Sequence, residues 1–492
     1  MTKEWGEGQG EGNPIASSLP ARTPLPNPRS SLAGRGSGGS GSPVVMFPAV
    51  PARVKLACLE SPAGVTCSGM KWLLRIGLGV VLLFVLLYGV VLLRSLIPVT
   101  VGDQGLRPAR ATIPEASNAF GVLQEAGTKV WWPGDQAQQV SDLARNTNWD
   151  NALANAFLAK NREALAGWDA AAKLPDLQVP EVHKVDDLMP YLADWKRLAQ
   201  VAEVRENALF RAGNDKEAFD QVINHIRLGR RMQDAGGPLI CYLVGVAVSD
   251  MGLRQVPRWT GKTHLTPRQL KDYISQLELL TDRDGAALAN TFKAEYQGQL
   301  GTLDALRKGQ ILNPDTGRYY SRPTLLWPTF NLSKTKALFA QATLMMVKAA
   351  PQHYGEAKLP DLGSHRPGPV AMILSGNCAG QVMYYLMMPA AGSIVEKKSH
   401  ADAQLQATRA ILALRAYQLT HGRLPIDLAA LVPEFLGKVP VDDFDGQPLR
   451  YSPDRKIVYS VGKNLKDDGG DDRGSEADSS QRHLDMVCRF DF

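Results

Sequence analysis

Eighteen successive residues from Ile76 to Leu93 carry no charge. At about 1.5 Å per residue they span roughly 27 Å, close to the hydrocarbon thickness of a bilayer. Lys71 and Arg75 stand before the run and Arg94 after it. Leu73, Leu74, Leu96 and Ile97 can lengthen it before Pro98 stops it. This pattern predicts one transmembrane helix over residues 72–97, with the lipid bilayer as its partner. The positive-inside rule assigns no direction, because Lys71 and Arg75 are balanced by Arg94 and Arg107.

From about 115 to 350 the apolar positions recur at three and four, the helical period. Between Asp186 and Ala212 the stripe is Leu188, Tyr191, Leu192, Trp195, Leu198 and Ala199, and "GND" at 213–215 ends it. The next stripe, Ala218, Phe219, Val222, Ile223 and Ile226, runs to Gly236-Gly237-Pro238 and makes a helical hairpin with the first. Leu239 to Val248 is apolar but too short to span a bilayer, and reads as a central buried helix. Thr266-Pro267 supplies an N-cap and a first-turn proline for another helix, whose stripe is Leu270, Tyr273, Ile274, Leu277 and Leu280. The tryptophans and tyrosines on these stripes read as core packing.

After Pro389 an apolar face of Ala403, Leu405, Ala410, Ile411, Leu414 and Tyr417 predicts a helix closed by His421-Gly422 and Pro425. A short helix is expected at 426–436. "PLRYS" and "KIVYSV" alternate as an antiparallel hairpin, and "LDMVCRFDF" reads as a third strand. A long helix lying across three strands is the economical arrangement.

The length of 492 residues exceeds one usual hydrophobic core, so two or more folded units are expected. Residues 1–69 are rich in Gly, Pro and Ser and read as disordered. "MKWLLRIGLGVV" has the cations and apolar run of an N-terminal anchor, which makes Met70 a candidate start. The net charge of +6 is spread along the chain without a basic stripe, which argues against nucleic acid. Five cysteines without a CxxC indicate neither a zinc site nor a disulfide framework.

The eight histidines form no HxH or HExxH pair, and no GxSxG elbow or Walker loop appears. Ser68 and Lys71 make an SxxK, but beside the anchor, where a dry oxyanion site cannot be built. No catalytic or cofactor-binding residue is therefore assigned. From 309 to 370 the chain is dense in Pro, Gly and aromatics, and loops of this length tend to be binding surfaces. "NPDTG" within it reads as a turn.

Two resemblances add to this reading. "ALFRAGNDKEAF" (208–219) resembles the inter-helix turn of a tetratricopeptide repeat, although Ala164 and Ala218 lie 54 residues apart and the family period is near 34. The order "AYQLTHGRLP", "LVPEFLGKVPVDDFDGQPLRY" and "YSVGKNLKDDGG" resembles the globular half of type II secretion major pseudopilins and type IV pilin-like proteins. That resemblance implies calcium in the loop after the hairpin, bound by aspartates and backbone oxygens. Carried over, Asn464 stands at the family's first aspartate and Asp485 at the later one, with Asp467, Asp468, Asp471 and Asp472 as further oxygens. Leu465 stands where the family has glycine. The anchor lies some 300 residues upstream of the pilin-like part, so assembly into a pilus is not expected. The whole layout resembles envelope proteins of planctomycete and verrucomicrobial type.

The expected fold class is mainly α. It comprises an N-terminal disordered segment, a single transmembrane helix and an α-helical domain of helical-hairpin, TPR-like build at 110–310. Irregular loops with one or two helices follow at 311–390. A small α+β pseudopilin-like domain at 395–492 then sets a long helix on an antiparallel sheet. The expected role is a non-catalytic scaffold or interaction protein of the bacterial inner membrane, linked to a secretion or pilus-like assembly. Its N-terminus would be cytoplasmic, its C-terminal domains extracytoplasmic, and it would have a protein partner. The alternative is an envelope hydrolase whose site, including His353 and His365, is assembled from the 309–370 loops.

Overall fold

A computed structural model describes residues 67–184, 187, 189–282, 284–308, 329–361, 366–388, 391–472 and 485–492. The expectations placed on segment 1–66, on Leu188, on "NPDTG" and on His365 lie outside the described residues. Two units are distinguished, Met1–Met70 and Lys71–Phe492.

The second unit is mainly helical, with one three-stranded antiparallel sheet. Helix α1 (Cys67–Leu96) contains the uncharged run. From Lys71 to Leu96 it is 26 residues long, about 39 Å at 1.5 Å per residue, and only 6% of its most apolar window is buried. A second apolar stretch, Leu239–Thr260, passes the same length and composition test but is 56% buried.

The carbonyls that a helix leaves unpaired at its C-terminus are taken up, in α1, by the folded body. Lys334 Nζ donates to the Arg94 carbonyl (2.7 Å), and Asn331 Nδ2 donates to the carbonyls of Ser95 (2.7 Å) and Ile97 (3.0 Å). The Arg94 guanidinium in turn donates to the Leu374 carbonyl at 2.9 Å. Gly376 permits this approach, since a Cβ there would stand 2.5 Å from the Ser95 nitrogen.

Helices α2 (Ala119–Thr128), α3 (Ala137–Arg145), α4 (Asn151–Lys160) and α5 (Arg162–Lys173) follow. Asp150 caps α4 by accepting from the Ala152 and Leu153 amides. The hairpin is α6 (Tyr191–Arg211) and α7 (Asp215–Gln233), which pack on each other across the 212–214 turn. Its first helix starts at Tyr191 and not near Asp186, directly after Pro190, whose ring favours a first-turn position over a helix interior. The helix expected to be buried is α8 (Leu239–Leu253), which is only partly so, with Cys241, Tyr242, Gly245 and Val248 buried and Ile240 exposed; α9 (Gln255–Thr260) and α10 (Pro267–Glu278) follow. At the start of α10 the expected cap is a full capping box between Thr266 and Gln269.

The region expected to hold one or two helices has three among the described residues: α12 (Leu332–Ala349), α13 (Pro369–Leu374) and α14 (Cys378–Met387), after α11 (Ala286–Lys308). Asn331 is the N-cap of α12, its Oδ1 accepting from the Lys334 amide while its Nδ2 holds the end of α1.

Helix α15 (Ala391–His421) is 31 residues long and closes at Gly422, whose φ of +70° suits the left-handed position after a helix. It lies against α8, α9 and α10 on one side and the sheet on the other. The sheet is β1 (Arg450–Ser452), β2 (Ile457–Ser460) and β3 (Met486–Arg489), in the order β1-β2-β3, with Val458 paired to Tyr451 and Cys488. The short helix expected at 426–436 is only a 3-10 turn, Leu428–Leu431. Pro433 forces Val432 into extended backbone and stops it.

One hydrophobic core joins distant parts of the chain. Phe219, Trp259 and Leu270 belong to the same buried cluster as Ile411, Leu436 and Phe490.

Candidate functional site

Lys398, Asp402, Gln406 and Arg409 recur at four, four and three along α15, so they share one face of a helix that is otherwise largely buried apolar surface. Facing them are Glu278 at the end of α10, Thr281 and Asp282 after it, and His353 and Asp443 from two loops. Together they line a cleft of about 250 Å³. Lys398 is only 4% exposed, yet its Nζ donates to both Asp443 oxygens (3.1 and 2.9 Å) and lies 3.6 Å from Asp402. Burial alone would lower its ammonium pKa, but the Asp402 and Asp443 carboxylates outweigh burial and hold it above its ordinary value.

Asp402 is shared with Arg230 on α7, whose Nη2 donates to it at 2.5 Å and whose Nη1 donates to Gln233 at 2.8 Å. Arg409 pairs with Glu278 at 2.9 Å. Across Thr281 and Asp282 the cleft continues into a second hollow of about 530 Å³ that includes Arg227, Asp234 and Asp284. There, burial and then Asp282 push the Asp234 carboxyl up to about 6. Burial and then Asp402 raise Asp282 as well, with Arg230 opposing. The result is a charge-balanced seam in which α7, α10, α15 and the loop before β1 are tied by alternating cations and carboxylates.

Asp443 is the crossing point of the seam. Its Oδ2 accepts from Ser399 Oγ at 2.6 Å, and its Oδ1 lies 3.2 Å from His353 Nδ1. The Tyr354 and Gly355 amides donate to the Asp443 and Phe444 carbonyls, both at 2.9 Å, which fixes His353 beside the turn. In this chain of hydrogen bonds the carboxylate stands between the hydroxyl and the imidazole. In a Ser-His-Asp triad the imidazole stands between hydroxyl and carboxylate; here the order is different, with the carboxylate in the middle.

No protein-family model matches the chain, and neither a curated protein nor a solved structure is significantly similar to it. The pilin resemblance rests on the quoted residues alone.

The six residues that resemblance singled out lie in and beside the loop after β2. Asn464 ends a 3-10 turn, and its Nδ2 donates to Asp468 Oδ2 at 2.7 Å. Asp467 Oδ1 accepts from Tyr459 Oη (3.2 Å) and the Gly469 amide (2.9 Å). Asp485 is buried, and its two oxygens accept from the amides of Asp468 (3.3 Å) and Gly470 (2.6 Å). The Asp471 carbonyl accepts from the Asp485 amide at 3.2 Å. Asp472 forms a two-pronged pair with Arg489 at 2.7 and 2.8 Å. Arg455 donates to the Gly469 and Gly470 carbonyls. Asn464, Asp467, Asp468 and Asp485 thus share one hydrogen-bonded loop, while Asp472 is drawn to the sheet. Among the described residues, no three His, Cys, Asp or Glu side chains converge as metal ligands. Amide donors and arginines stand where a calcium ion would have to neutralise the carboxylates.

Sequence reasoning had singled out only His353 of the cleft. The signal that could have found the rest was the four-four-three polar stripe inside the apolar run of α15, since charges on a buried face must be paired.

Proposed function

We propose that the chain is a membrane-anchored, non-catalytic scaffold of the bacterial inner membrane. The reading is single-pass, with α1 crossing the bilayer and the helical and sheet regions outside the cytoplasm, where they engage a protein partner. The observation that carries it is the junction at Arg94–Ile97. An apolar, almost wholly exposed helix ends on Lys334 and Asn331, so it is a rigid extension of the folded body and not a tethered leader. Such a joint holds a binding surface at a set height and angle above a membrane.

Two measurements test this reading. Carbonate-washed membranes should retain the full chain, whereas release into the wash removes the anchor. A reporter fused after Phe492 that is active only in the cytoplasm reverses the orientation. A link to a secretion or pilus-like assembly is tested by co-purification of its components with the full chain, lost on replacement of the sheet region.

One observation favours the hydrolase reading, the His353 ring held by Asp443 at the cleft. His353→Ala should leave any envelope hydrolysis by the full chain unchanged; loss of a measured activity would move the assignment to an enzyme.

A further inference from the structure

We infer that α13 and α14 make a second contact with the membrane, seated in the headgroup and upper acyl layer of the leaflet from which α1 emerges. The inference rests on the reading of α1 as a membrane anchor. Beyond Val99, ten large hydrophobic side chains are exposed among the described residues. Four of them fall between residues 370 and 386: Val370 (69%), Ile373 (50%), Val382 (43%) and Leu386 (78%). Helix α13, "PVAMIL", is apolar throughout and has no buried residue, a composition that water does not favour.

The position of this surface is set by hydrogen bonds. Arg94 is the first charge after the eighteen uncharged residues of α1 and so marks the interface level. Its guanidinium donates to the Leu374 carbonyl at the end of α13, and Lys334 Nζ bridges the Arg94 and Ser375 carbonyls (2.7 and 3.0 Å). The apolar patch therefore starts one hydrogen bond away from the residue at which α1 leaves the hydrocarbon. Arg366 completes an interfacial arrangement, its guanidinium 4.8 Å from the Tyr385 ring centre, a cation and an amphipathic ring of the kind that settle among headgroups. Lipid is the occupant that this continuity selects, because α1 brings it to the edge of α13 without any further partner. Two attachments, α1 and this patch, would prevent the body from swivelling about α1.

The test uses the full chain in vesicles of phosphatidylcholine and phosphatidylglycerol, with the photo-cross-linker p-benzoylphenylalanine introduced singly at Leu82, Ile373, Leu386 or Ile426. All four positions are exposed, so the substitutions leave packing intact. Lipid adducts at 82, 373 and 386 with none at 426 are expected. An adduct at 82 with none at 373 and 386 would overturn the second contact while the anchor stands. Cross-links between two copies through 373 or 386 would also overturn it, in favour of self-association. Absence of lipid at 82 would remove the anchor and the inference together, and equal labelling at 426 would show the reaction to be unselective and overturn the inference.

Discussion

Asp442 and Asp443 are neighbours that serve opposite sides of one turn. Asp443 ties the cleft, whereas Asp442 is fully buried beneath the sheet and accepts from Phe444 N, Ser460 Oγ, Val461 N and Arg450 Nη1 at 2.8–3.0 Å. Removing one partner of such a hub leaves the others unpaired, so Asp442→Ala should cost about 3–5 kcal/mol and lower the midpoint of thermal unfolding. Glu203 on α6 gives a pH prediction. Burial raises its carboxyl to about 8, with Arg254 opposing and Glu206 adding to the rise. The folded state thus holds a proton that the unfolded state releases near pH 4.5. Stability from this group is full below that pH, falls as pH rises towards 8, and stays low above it. Glu203→Gln should abolish that fall and stabilise the chain by roughly 3–5 kcal/mol at pH 9 relative to the parent, read from denaturant midpoints across pH. For the acidic loop, calcium would have to displace Arg489 from Asp472 and the amides from Asp485. Titration of the full chain with calcium tests the site the resemblance implies: a saturable heat would support it, and no heat at millimolar calcium would leave the loop a charged turn.

Glycines set a close backbone contact between α7 and α8. A Cβ on Gly245 of α8 would stand 2.6 Å from the Gln233 nitrogen and 2.7 Å from the Gly229 carbonyl, so α7 and α8 touch through their backbones. Gly245→Ala should push the helices apart and cost about 1–3 kcal/mol, visible in thermal unfolding. This contact also explains how so apolar a segment as α8 is accommodated in the folded body, where Leu239 to Val248 were expected to form a central buried helix. Element ends were legible where a capping side chain or a left-handed glycine marks them, as at Thr266 and Gly422. They were misjudged where a proline overrode the apolar period, at Pro190 and Pro433. At Leu465 the backbone is left-handed, φ +57°, a conformation that glycine holds more easily than leucine. The polar stripe of α15 was hidden for another reason: its partners come from α7, α10 and loops 45 to 172 residues away.

At the scale of the whole unit, the sheet region packs Val458 and Phe490 into a core that it shares with the helices. Ile411, Leu414 and Phe490 share one buried cluster with Phe219, Trp259 and Leu270. A fragment of residues 395–492 would expose that surface along α15, together with the charges of Lys398, Asp402 and Arg409. It should fail to give a cooperative unfolding transition, and a sharp transition in the isolated fragment would refute the shared core. The sequence alone determined the apolar run of α1, the helical hairpin, the capped start of α10 and the three strands, because these depend on residue spacing and local caps. Only the tertiary structure decided that the end of α1 is held by Asn331 and Lys334, that Asp443 joins Lys398, Ser399 and His353, and that the helical and sheet regions share one interior. Those are pairings between residues far apart in the chain, and local periodicity carries no information about which distant partner will neutralise a buried charge or cover an apolar face.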